Sequence, residues 1–316
     1  MIATKAPSKS HIRLRKWITP GFAGKAGLLF LLLAPAAFGN NEYRPHLEGA
    51  IVEKYKTVGD VSLNLWIFNP KNHKPTDHRA AILFFFGGGW MQGSPEQFKL
   101  QCQHLAEHGM VAITVDYRVG SRNHVKPVQC VADVKSAMRW VRTNAVRLGI
   151  DPQRIAAGGG SAGGHLAACT AFIKDFDAPG EDTSVSAVPN ALVLFNPALV
   201  LAPLYGYQSE GKGKITEWRM GTKPENISPA HHIYKGAPPT IIFHGKADTT
   251  VPYITAEAFT AEMIKAGNRC ELAGYEGANH SFFNTIKWRD DTIKRMDQFL
   301  KSLGYLDNCL TPIPST

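Results

Sequence analysis

The chain runs to 316 residues, 44% of them apolar and 19% charged, a composition that supplies a large core and excludes a disordered or fibrous protein. Its formal charge of +9 would suit a nucleic-acid partner if it were spread over the chain, but six of the 35 basic residues (Lys5, Lys9, Arg13, Arg15, Lys16 and Lys25) and none of the 26 acidic ones precede residue 40. The remainder is close to balanced, which argues against nucleic acid.

That basic segment leads into the apolar run "AGLLFLLLAPAAF", Ala26 to Phe38, which at 13 residues falls short of the ~20 that span a bilayer. It matches a signal peptide, residues 1–39, with cleavage after Gly39 because Ala37 and Gly39 are the small residues that signal peptidase accepts. The expected protein is therefore secreted or periplasmic, without stable membrane insertion after cleavage. An uncleaved anchor is the alternative. No cysteine lies near Gly39 to carry a lipid.

Beyond residue 40 strands and helices alternate. "VSLNLWIF", Val61 to Phe68, has the alternation of a strand with one face buried, and "AAILFFF", Ala80 to Phe86, is apolar throughout, as in a strand covered on both faces. A helix over Glu96–His108, the strand "MVAITVDY" and a long amphipathic helix over Val128–Leu148 follow. Then come the strand "RIAAGG", a helix after Ser161, and the strands "ALVLF" and "PTIIFHG". A helix over Tyr253–Ala266, the strand "CELAGY" and a helix over Asp290–Leu303 close the chain. This order predicts an α/β fold in one domain, residues 40–316, with a mostly parallel central sheet and helices on both faces. Asn196–Gly236, rich in Gly, Pro and Tyr and without a period, reads as a lid-like insert.

Five cysteines cannot all pair within one chain. Cys169 and Cys270 fall on elements where a buried free thiol is expected, and Cys102 with Cys130 is the candidate disulfide. There is neither CxxC spacing nor a Cys/His cluster, and the adjacent pair His231–His232 does not point one way, so no metal or organic cofactor is implied.

The chemistry gathers around "AAGGGSAGGHLAAC". Within it Gly159, Ser161 and Gly163 fit G-x-S-x-G, a strand-to-helix turn that exposes a serine hydroxyl; side chains two residues before or after it would collide as the backbone doubles back. No GK[ST] follows, which excludes a Walker loop, and a dinucleotide site is disfavoured so deep in the chain. A serine needs an imidazole to take its proton and a carboxylate to fix the tautomer of that imidazole. Asp248 in "IIFHGKADTTVPY" and His280 in "YEGANHSFF" supply them, each in the loop after a strand. His244 and His165 are expected to support and pack, and Asp175, Asp177 and Asp182 to lie on the surface. After the buried strand, "FFFGGGW" offers the N–H groups of Gly88 and Gly89, with that of Ala162, as an oxyanion hole. Trp90 is expected either to wall the acyl pocket or to pack.

From about Val61 to Leu303 the sequence resembles the α/β-hydrolase superfamily, in its hormone-sensitive-lipase-like branch, and is most similar to secreted carbohydrate esterases of the acetyl-xylan and feruloyl type. "FFFGGGW", "VDYRV", "GGSAGGHLA", "HGKAD" and "GANHSFF" carry the resemblance, with the insert between strands 6 and 7 of that fold. It implies a serine esterase acting through an acyl-enzyme on short-chain carboxylic esters of small molecules or polysaccharides; Tyr205, Tyr207 and Trp218 of the insert are expected either to stack on sugar or to form the core of the lid. The usual H-G-G-G histidine is Phe86 here, so the loop must be held by packing; the usual G-D-S-A-G-G aspartate is Gly160. The alternatives are a prolyl-oligopeptidase-type peptidase, which would normally carry a propeller domain as well, and a non-catalytic binding protein, which would be expected to lack triad members.

Overall fold

A computed structural model describes residues 45–204 and 215–306. The chain divides into two compact units, 1–41 and 42–316, and all the described residues belong to the second. The expected signal segment, Tyr205, Tyr207 and Cys309 lie outside them.

Eight strands form one sheet: β1 (Ile51–Val58), β2 (Val61–Phe68), β3 (Arg79–Phe85), β4 (Val111–Val115), β5 (Ile150–Gly160), β6 (Ala191–Phe195), β7 (Thr240–Gly245) and β8 (Cys270–Tyr275). Their order is β1-β2-β4-β3-β5-β6-β7-β8. β2 runs antiparallel to both β1 and β4, and every other pairing is parallel. The helices are α1 (Lys99–Glu107), α2 (Gly120–Asn123), α3 (Pro127–Thr143), α4 (Ala162–Phe172), α5 (Glu217–Met220), α6 (Tyr253–Lys265) and α7 (Ile286–Ser302). Among the described residues no helix is long and apolar enough to cross a membrane.

The apolar run of β3 feeds two cores at once. Ala81, Leu83 and Phe85 join the cluster that holds α3, α4 and α6, whereas Ala80, Ile82 and Phe84 join the one that holds α1 and α7. Period-two alternation on a strand covered on both sides requires this division.

The division excludes the expected Cys102–Cys130 disulfide. Both thiols are free and buried, Cys102 in one cluster and Cys130 in the other. From β3 the chain crosses through α1 to β4, then returns through α3 past β3 to β5. Right-handed crossovers in opposite directions put their helices on opposite faces, so the sheet stands between the two sulfurs.

Three further differences concern boundaries. β1 is missing from the sequence reading because its only buried side chain is Tyr55; Glu53, Lys54 and Lys56 line an edge that such charges keep from pairing with other chains. α7 begins four residues before the expected Asp290. The described residues of the insert contain α5 and single turns of 3-10 helix at Pro224–Ile227 and Pro229–His232, where the sequence shows no period.

Candidate active site

The turn after β5 has little room. A Cβ on Gly159 would lie 2.5 Å from the carbonyl oxygens of Phe85 and Gly163, and one on Gly163 only 2.0 Å from Phe85 O. The two glycines let α4 start directly against the end of β3. Ser161 between them has φ 54° and ψ −118°, a strained conformation for a residue with a side chain. It occupies the N-cap of α4, where a serine hydroxyl normally accepts from the helix, yet it makes no such bond. Its Oγ instead donates to His280 Nε2 at 2.8 Å.

His280 Nδ1–H donates to Asp248 Oδ2 at 2.7 Å. The other carboxylate oxygen accepts the N–H groups of Thr250 and Val251, both at 2.9 Å. His244 Nε2 donates to Val251 O at 2.8 Å and lies 3.4 Å from Asp248 Oδ2, the supporting position expected of it. Burial works to raise the Asp248 pKa, but the hydrogen bonds from His244, His280 and Val251 outweigh it and hold the carboxyl well below the usual carboxylate range. The three residues singled out in the sequence are thus brought into one hydrogen-bonded chain.

The loop after β3 lies against this turn. A Cβ on Gly87 would be 3.4 Å from Ser161 Cβ and 2.9 Å from Gly160 O. Gly88 and Gly89 have φ of 124° and 63°. Among the described residues nothing accepts from the N–H of Gly88, Gly89 or Ala162, so all three are free to donate to a ligand. Phe86 is fully buried and stacks on Tyr117 with ring centres 4.1 Å apart, which is the packing expected in place of histidine. Packing is only part of the anchorage. Tyr117 Oη donates to Phe86 O at 2.6 Å, the N–H of Gly87 donates to Gln97 Oε1 at 2.6 Å, and those of Met91 and Gln92 reach Gly88 O. Gln97 was missed in the sequence, as was Asn196, which is fully buried and accepts the N–H of Ser281 next to His280.

Gly160 owes its identity to the ring beneath it. A Cβ there would be 2.7 Å from Phe283 Cζ, and Phe283 packs against Phe98 and Phe195. An aromatic cluster fills the space that an aspartate would need.

Trp90 is buried, and its indole N–H donates to His165 Nδ1 at 3.1 Å. His165 Nε2 passes the chain to Ile227 O at 2.7 Å. Burial pulls the His165 pKa down to about 4, so the ring is neutral near pH 7 and the oxyanion loop, α4 and the insert share one buried polar link. Trp218 is 80% exposed, with Lys126 Nζ 5.2 Å from its ring centre. His231 and His232 turn to different partners, Ser228 and the carbonyl of Glu225. Asp177 pairs with Lys135 and Arg139.

Residues 65–263 match the family model BD-FAE. The chain belongs to the BD-FAE family. Ser161 and Asp248 fall within the matched span, and His280 lies beyond it. Among curated relatives, esterase LipC of Mycobacterium tuberculosis is 31% identical over 70% of this chain and 56% of its own length. A probable isoprenylcysteine alpha-carbonyl methylesterase, ICMEL1 of Arabidopsis thaliana, is 27% identical over 84% and 58%. The BD-FAE chain thus spans little more than half the length of these relatives. Among solved structures, native esterase 2 of Thermogutta terrifontis is 51% identical, with a TM-score of 0.81 over 84% of this chain and 96% of that one. The same esterase phosphonylated by sarin is 50% identical, also with a TM-score of 0.81, over 84% and 99%. The chain has the α/β-hydrolase fold of these esterases.

Proposed function

We propose that this protein is a serine esterase that hydrolyses short-chain carboxylic esters through an acyl-enzyme. The observation that carries the reading is the chain Ser161–His280–Asp248, at 2.8 and 2.7 Å, beside three backbone N–H groups with no acceptor among the described residues. Ser161 Oγ attacks the ester carbonyl carbon as His280 Nε2 takes its proton, and Asp248 steadies the imidazolium. The tetrahedral oxyanion develops against the N–H groups of Gly88, Gly89 and Ala162, at the start of α4, where the helix dipole adds to their pull. Collapse expels the alcohol, protonated by His280, and leaves the acyl group on Ser161. Water then repeats the cycle and releases the acid.

The relatives support ester chemistry, and the short-acyl assignment draws on the propionate-bound and butyrate-bound forms of the Thermogutta esterase. Turnover of p-nitrophenyl esters from acetyl to palmitoyl tests it: a maximum at acetyl to butyryl is expected, and a maximum at long chains would overturn it. Ser161→Ala should lower kcat on the order of 10⁶-fold, as loss of the nucleophile does in other serine hydrolases. More than a few per cent of activity left in a folded variant would move the nucleophile elsewhere. The physiological acyl groups are placed on polysaccharide, with the exposed Trp218 ring as a sugar platform; acetate release from acetylated xylan that is unchanged in Trp218→Ala would remove that platform. Residues 1–39 act as a signal peptide in this reading, and exported protein that still begins at Met1 would contradict it.

A further inference from the structure

We propose that α1 and α7 together carry a site for a divalent transition metal, formed by His104, His108 and Asp297, which pins α7 against the helix that follows the oxyanion loop. The site is independent of the esterase reading. His104 and His108 are one helical turn apart and therefore on the same side of α1; their ring centres are 4.2 Å apart. Asp297 arrives from α7, 193 residues after His104, and its two oxygens accept from His104 Nε2 at 3.0 and 2.9 Å. One donor atom from each of the three residues lies within 4.8 Å of the other two. A tetrahedral zinc ion with bonds of about 2.0–2.2 Å holds its ligand atoms about 3.4 Å apart, so closing around an ion asks for a shift of at most about 1.4 Å at the widest pair.

Two details separate this group from a plain histidine–aspartate pair. His108 Nδ1 donates to His104 O at 2.7 Å, which fixes the tautomer and leaves Nε2 with its lone pair, as outer hydrogen bonds do for histidines that bind metal. The side chains are also sheltered yet reachable, with His104 and Asp297 14% and 15% exposed. Two imidazoles and a carboxylate suit zinc, with cobalt or nickel as substitutes, and three protein ligands leave a fourth position for water. The spacing of His104 and His108 is visible in the sequence, but the third ligand is supplied only when α7 packs on the same face of the sheet as α1. His108 caps the end of α1 just before β4 begins, whereas Ser161 follows the carboxyl end of β5. The ion would therefore sit at the opposite edge of the sheet from the nucleophile and serve stability.

The test uses tag-free full-length protein, stripped with chelator and dialysed, then titrated with Co²⁺ followed by visible absorption and with Zn²⁺ followed by calorimetry. The expected result is saturable uptake of one ion per chain, a rise in Tm with zinc, and unchanged ester turnover in the stripped enzyme. His108→Gln should lose the uptake while keeping the His104–Asp297 contact, and Asp297→Asn should lose it as well. No saturable uptake by the wild type would overturn the site. So would equal uptake in both variants, which would put the ion elsewhere, or equal uptake in His108→Gln alone, which would reduce the group to an ion pair.

Discussion

Placing an aspartate at position 160, as in the G-D-S-A-G-G pattern that the sequence resembles, should damage this protein. The first atom added, a Cβ, would lie 2.7 Å from Phe283 Cζ and 3.2 Å from Cε1, with Phe98 Cζ at 3.5 Å. Phe283 has no easy retreat, since it is fully buried and packed between Phe98 and Phe195 at centroid distances of 5.7 and 4.7 Å. Overpacking of this kind costs about 1–3 kcal/mol. A carboxyl group placed among phenyl rings with no partner adds about 1–3 kcal/mol more if it stays neutral, and more still if it is charged. The expected loss for Gly160→Asp is therefore roughly 2–6 kcal/mol, a large share of the 5–15 kcal/mol that a domain has. Gly160→Ala isolates the steric part and should cost roughly 1–3 kcal/mol. Urea unfolding followed by tryptophan fluorescence reads both losses as a fall in midpoint at constant slope. Phe283 follows His280 by only three residues, so the surviving folded fraction should also turn over slowly. A Gly160→Asp protein within about 1 kcal/mol of wild type would refute the reasoning, because it would mean that Phe283 yields freely.

Gln97→Leu removes the acceptor for the N–H of Gly87 and loosens the loop that presents Gly88 and Gly89. kcat should fall roughly 10- to 100-fold, within the range seen for loss of one oxyanion donor, with KM nearly unchanged; a variant with wild-type kcat would show that the loop is held without it. Phe86→Ala should cost roughly 3–5 kcal/mol in urea unfolding, as a buried phenyl does, and lower kcat as well, whereas a loss below 1 kcal/mol would mean that the loop has other support. His165 gives a pH signature. Its folded pKa is depressed to about 4 from an unfolded value near 6.5, so between those values the unfolded chain binds the extra proton and stability falls as pH is lowered. The urea midpoint should drop between pH 7 and pH 5, and by less in His165→Gln; an equal drop in both would clear His165. The Asp248 carboxyl is held well below the usual carboxylate range by its hydrogen bonds, so its protonation should add no second acid limb to the pH profile of activity. Two acid limbs in kcat/KM would contradict that picture.

Legibility followed the range of the interactions. The turn at Ser161 was readable because its constraints are local, each glycine answering to a backbone atom a few residues away or to the strand beside it. Asp248 and His280 could be placed because each follows a strongly apolar strand, and parallel strands bring their carboxyl ends to one edge. Gln97 and Asn196 left no trace in the sequence, since each acts through a single hydrogen bond to a segment it meets only after folding. β1 was hidden by its charges: an edge strand with one buried residue has no apolar rhythm. The disulfide failed for a topological reason, because spacing along the chain does not say that the crossover reverses direction between α1 and α3.

That reversal bears on how the molecule would die. Cys102, Cys130 and Cys169 are buried as free thiols on two sides of a sheet, and burial pushes the pKa of each upward, away from the reactive thiolate. While the fold holds, these three thiols should be shielded from oxidants. Once heat opens it in an oxidising medium, thiols that the sheet kept apart can couple within and between chains, and cooling no longer restores what was lost. Durability under those conditions is then governed by the rate of opening rather than by an equilibrium. A reductant present only during heating and recovery should return activity that the same treatment in air destroys.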